Sequence, residues 1–144
     1  MRKLQIELVP DGCWYLNLRT ALPKKVWEKI RKDAILSSGE KCSICGRKTS
    51  RLEAHEQWSY DEKKAVQKLE RVIAVCRDCH SAIHMERTQL FGDIKRAEDH
   101  YMKVNNCTYS EMKRDRNEAN IIHQRRNNIE WQTDTSFLKK YMEI

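Results

Sequence analysis

The sequence predicts a single α+β domain stapled by a metal, and three observations carry that expectation. Short alternating runs bracket a cysteine-rich centre, helical spacing dominates the flanks, and two CxxC pairs stand at "CSIC" and "CRDC". A chain of 144 residues is of one-domain size, and no repeat or Pro/Gly/Ser-rich linker divides it. Three stretches differ in character: 1–39, 40–87 and 88–144. Lys+Arg number 28 against 21 Asp+Glu, a net charge of +7, which favours an acidic partner, nucleic acid being the commonest. No run approaches the roughly 18 apolar residues of a membrane span, and "MRKLQIELVPDG" lacks the apolar block of a signal peptide. The expected setting is cytoplasmic, away from any membrane. Thiols stay reduced there, so close cysteine pairs point to metal before disulfide.

In chain order, "LQIELV" alternates with the period of a half-buried strand, "PDG" reads as a turn, and "CWYLNL" is the returning strand of a hairpin. "PKKVWEKIRKDAILSSG" carries Val26, Trp27, Ile30 and Ala34 at helical spacing, with Pro23 at its first turn and Gly39 at its end. Cys42 to His84 is ligand-rich and irregular, with strands expected at "RLEAHE" and "RVIAVC" and a helix starting within "CRDCHSAIHME". Ile94, Ala97, Tyr101 and Val104 resume helical spacing. "TYSE" (Thr108 to Glu111) fits a capping box opening a long charged helix, and Asp134 is placed to cap a short last one with Phe137, Leu138, Tyr141 and Met142.

Cys42, Cys45, Cys76 and Cys79 supply four thiolates, the set a structural zinc takes. Gly46 follows the second cysteine, where such a turn needs a backbone conformation other residues resist. A site with all four sulfurs engaged is closed and does no catalysis. Cys13 and Cys107 fall outside the pattern and read as small apolar residues.

Three of the five histidines stand in or beside this module: His55, His80 and His84. On a helix beginning at the second pair, His80 and His84 would share one face, and His55 at the end of a strand could reach the same point. Three imidazoles with coordination positions left open suit a hydrolytic metal site. The alternative is a zinc held by three cysteines and one histidine, with the remaining histidines solvated.

Taken together, "CSICG … RLEAHE … RVIAVCRDCHSAIH" resembles the zinc-bearing branch of the HNH endonucleases, the ββα-metal or His-Me finger superfamily, over about residues 40–87. The resemblance implies a treble-clef-like core flanked by the N-terminal hairpin plus helix and the helical C-terminal segment. It also implies metal-dependent hydrolysis of phosphodiester bonds, double-stranded DNA being the first substrate to consider. The cofactors implied are a structural Zn2+ and a catalytic divalent ion: Mg2+, Mn2+, Ni2+ or Zn2+. Carried over, His55, His80 and His84 hold that ion, His55 and His80 being catalytic.

Two positions depart from the family pattern. Glu56 stands where a histidine general base is usual, and Arg71 where an asparagine is. With Glu56 or the ion itself activating water, the chain is an enzyme. Otherwise it is a zinc-stapled module that binds nucleic acid or a protein partner, such as a phage or defence regulator. Arg71, Arg77, Lys63 and Lys64, with Lys41, Arg47, Lys48 and Arg51 nearby, are the expected phosphate contacts. Trp58 and Tyr60 read as pins for a long loop, and His100 and His123 as lying outside the cluster. A homodimer through the C-terminal helices would suit double-strand cutting.

Overall fold

A computed structural model describes residues 1–13 and 18–142. Among these are seven α-helices and one three-stranded sheet. Two helices come first, α1 (Leu18–Ala21) and α2 (Lys24–Ser37). A long hairpin follows, β1 (Leu52–Asp61) and β2 (Val66–Cys76). Then come α3 (Arg77–Ile83), α4 (Met85–Phe91), α5 (Ile94–Asn105), α6 (Tyr109–Arg126), β3 (Gln132–Asp134) and α7 (Lys139–Met142). No helix of the described residues is long and apolar enough to cross a membrane.

The sheet runs β1-β2-β3, antiparallel between β1 and β2 and parallel between β2 and β3, which leaves β1 with an open edge. Register assigns the faces, because directly paired residues of neighbouring strands point the same way. Leu52, Ala54 and Glu56 pair with Cys76, Ala74 and Val72, whereas Glu53 and His55 pair with Val75 and Ile73. The first set faces the core that α2 completes with Val26, Trp27, Ile30 and Ala34. The second faces α3.

The first limb of the expected N-terminal hairpin is not a strand. Residues 4–10 are an irregular strap, and the returning limb lies in part on 14–17, outside the described residues; Cys13 closes a 3-10 turn and Leu18 opens α1. The alternation of "LQIELV" records burial, Leu4 being fully buried, with no partner strand beside it among the described residues. The capping box of α6 is present, with Thr108 and Glu111 satisfying each other's backbone N–H. The hairpin strands run further than their β-branched cores, so Trp58 and Tyr60 lie within β1 and not on a loop.

The third strand has no clear signal in the sequence. It adds along β2, where the fully buried Gln67 is satisfied by the Tyr60 and Thr133 hydroxyls. Asp134 turns the chain after it by accepting from Ser136 N at 2.9 Å. Phe137 and Leu138 fall in a 3-10 turn, Ser136–Leu138, before α7 begins. The expected single helix through His80 and His84 is broken at His84, whose backbone (φ −95°, ψ 49°) ends α3 and begins α4.

Candidate metal centres and cleft

Two donor clusters form at opposite ends of α3. At its start, Cys42, Cys45, Cys76 and Cys79 bring their sulfurs within 4.8 Å of one another. Each pair sits on a tight turn whose N–H points at sulfur: Cys45 N to Cys42 Sγ, 3.5 Å, and Cys79 N to Cys76 Sγ, 3.4 Å. Gly46 adopts φ +77°, the left-handed region that a residue with a Cβ resists. Ser43 N donates to Ala74 O at 2.9 Å and so docks the first turn on β2.

The cluster fits zinc on its donor chemistry. Cys45 Sγ and Cys76 Sγ lie 3.7 Å apart, far beyond a disulfide bond. Zn–S bonds of about 2.3 Å in a tetrahedron place sulfurs about 3.8 Å apart. Four thiols packed this closely also cannot all ionise unaided. The Cys42 thiol is held down by a hydrogen bond from Cys79, which that same bond, together with burial, pushes up, while burial pushes Cys76 up. A divalent cation removes that conflict, so these four cysteines could hold a metal ion such as zinc.

Sequence reasoning missed the groups around this cluster. His100 of α5 brings Nε2 to 3.2 Å from Cys79 Sγ. Asp78 receives Arg47 from the first turn and Arg96 from α5, at 2.9 and 2.8 Å, and these guanidinium contacts hold its carboxyl below the usual range. The available signal was the helical pattern of α5, which puts Arg96 and His100 on one face four residues apart.

At the other end of α3, His55, His80 and His84 bring ring nitrogens within 4.8 Å of one another. Their ring centroids stand 5.4, 5.3 and 4.9 Å apart, edge to face. Two carboxylates touch the trio from outside. Glu53 Oε1 lies 2.7 Å from His80 Nδ1, and Glu7 Oε2 lies 2.9 Å from His55 Nε2. Each leaves the opposite ring nitrogen of its histidine free for another partner. Burial holds the His80 and His84 rings neutral, the His84 pKa being lowered to about 3, with the neighbouring imidazoles and Arg87 adding repulsion. Neutral, converging imidazoles are the donor set a borderline divalent ion takes.

Glu56 is not part of the trio. One step from His55, it occupies the other face of β1, and its Oε1 accepts from Leu18 N at 3.2 Å. Burial raises its pKa.

The trio opens into a cleft of about 1040 Å3 along the free edge of β1, bounded by the strap, α2 and α6. Its cations are Arg19, Arg31, Arg87 and Arg126. None of the four expected phosphate contacts lines it. Lys63 and Lys64 stand on the tip of the β1–β2 hairpin, and Arg71 is exposed on β2. Arg77 borders a separate small cavity with Arg47, Arg51 and Arg96. Position near the cysteines in sequence did not translate into position near the histidines, because α3 separates the two. Arg87 was legible in principle: three residues beyond His84, it falls close to it across the helix junction.

No protein-family model, curated protein or solved structure matches this chain. Its function therefore has to be argued from the two clusters and the cleft.

Proposed function

We propose that this chain is a metal-dependent endonuclease of HNH type that hydrolyses phosphodiester bonds in nucleic acid, DNA first. The observation that carries the reading is the convergence of three imidazoles, from β1, from α3 and from the residue that ends α3, beside a separate four-cysteine cluster at the start of the same helix. The cysteines account for the structural metal by themselves, so the histidines are not needed for it. His55, His80 and His84 would hold a divalent ion at the floor of the cleft.

Such an ion, when bound, supplies Lewis acidity toward water and the phosphate oxygens. The chain's own residues do the remainder. Glu7 and Glu53 orient two of the rings, and the low proton affinity of His80 and His84 keeps their lone pairs available at neutral pH. Arg87, without a carboxylate partner among the described residues, offers a positive charge beside the trio where a phosphate would enter. Glu56 supports a second reading, a zinc-stapled binding module without catalysis, because it leaves the trio without a protein base at the adjacent strand position.

Plasmid cleavage by zinc-loaded protein separates the two. Nicking should appear with Mg2+, Mn2+ or Ni2+, stop with chelator, and fall at least about 100-fold in a folded His80→Ala variant, more than loss of an outer partner costs. Absence of cleavage of DNA and RNA under every ion would leave the binding module.

A further inference from the structure

We infer that residues 4–10 form a strap carrying a positioning carboxylate, Glu7, which fixes the His55 ring for the ion at the three-histidine site. The inference deepens the proposed function and rests on that ion site.

Among the described residues no strand pairs with the strap, and other contacts hold it. Asn105, the last residue of α5, grips Leu4 at both backbone atoms, accepting from its N and donating to its O at 2.9 Å each. Arg2 donates to Asp115 of α6 at 2.8 Å. Glu7 N donates to Ile83 O at 2.9 Å, fixing the backbone of Glu7 to the end of α3, beside the turn that bears His84. Beyond it, His123 of α6 lies 3.2 Å from Val9 O, and Asn127 accepts from Asp11 N at 2.8 Å. Leu4 is fully buried. The backbone of Glu7 is thus fixed, and its carboxylate ends 2.9 Å from His55 Nε2.

His55 has little room either, its side chain being 5% exposed. With Nε2–H donating to Glu7, the lone pair lies on Nδ1, so one carboxylate sets both the tautomer and the ring orientation. Glu53 does the same for His80 at Nδ1, but from the same strand as His55. Glu7 comes from 48 residues away, on a strap tied to α5 and α6 as well as to the end of α3. The flanks thus contribute a working part of the site as well as a scaffold.

The test uses the full-length zinc-loaded protein, Glu7→Ala, Glu7→Gln and Asn105→Ala. It reads the His55 ring nitrogens by 15N NMR and Mn2+ or Ni2+ affinity by calorimetry. Wild type should show the Nε2-protonated tautomer, and Glu7→Ala a mixture. Ion affinity should fall about 10- to 100-fold in Glu7→Ala, less in Glu7→Gln, whose amide oxygen still accepts the proton, and in the same direction in Asn105→Ala, which touches no histidine. Zinc content should not change.

Unaltered tautomer and affinity in Glu7→Ala would overturn the inference. A wild type that takes no second ion would overturn it together with the nuclease. Weakened ion binding by Glu7→Ala in a protein that cuts nothing would retire the nuclease and leave Glu7 in place. Should Glu7→Ala fail to fold, Asn105→Ala, which loosens the strap and touches no histidine, decides: unaltered affinity and tautomer there would overturn the inference.

Discussion

A single step along β1 carries a side chain from one face of the sheet to the other, and Glu56 is one step from His55. Its carboxylate is half-buried at the wall of the cleft, accepting from Leu18 N, and that burial costs the ionised form and raises its pKa. A group whose folded pKa is raised gives its stability below the unfolded carboxylate range and loses it as pH climbs through the folded value. Glu56→Gln keeps an oxygen for Leu18 N–H and removes the charge. The variant should therefore melt at or above the wild-type temperature at neutral pH, with the difference closing below about pH 4.3. Second-ion affinity and cleavage should survive the change; their collapse would return Glu56 to the chemistry.

Arg87 is the residue by which the cleft can be tested for nucleic acid. Removing one cation that neutralises a phosphate flattens the salt dependence of log K by about 0.9. Arg87→Ala should show that change in a fluorescence-anisotropy titration at several salt concentrations, while Lys63→Ala and Lys64→Ala, on the hairpin tip, should not. The cysteines were legible at this scale because their spacing is local and the tight turn is encoded by Cys-x-x-Cys-Gly. Glu7, His100 and Arg87 were not, since each acquires its meaning from a neighbour that only the fold supplies.

Among the elements, α2, α5 and α6 follow from apolar spacing and their terminal residues, and α6 shows what a cap contributes. Only Met112 of that helix is buried, so packing supports it weakly and the Thr108–Glu111 box carries more of the burden. Thr108→Ala should lower stability by about 1 kcal/mol in urea unfolding. The strap resembles a strand in sequence because alternation reports which side chains are covered and says nothing about what covers them: Leu4 is buried and backbone-bonded to Asn105, with no strand beside it among the described residues. β3 is hidden for the complementary reason. Gln132–Asp134 is short and polar, and it pairs because Gln67 and Ala65 present partners to it.

Across the whole molecule, the four-cysteine cluster ties the loop after α2 to the junction of β2 and α3, while α5 closes over it through Asp78 and His100. A structural metal bound there would hold chain segments with little core of their own between them. Stripping it with a strong chelator, or Cys79→Ser, should collapse helical circular dichroism in one transition and abolish ion binding at the histidines. If the histidine site still bound its ion in metal-stripped protein, the two clusters would be independent.

That dependence has a reciprocal side. The seven residues of α3 begin between Cys76 and Cys79 and end just before His84, so ordering one end of the helix orders the other. Whichever ion binds first meets the entropy of fixing α3, and the second is spared most of it. Linkage makes the two ions each other's effectors by equal factors: zinc should raise affinity for the second ion, and the second ion should slow the escape of zinc. A protein that bound both ions in this way would respond to the two metal concentrations jointly.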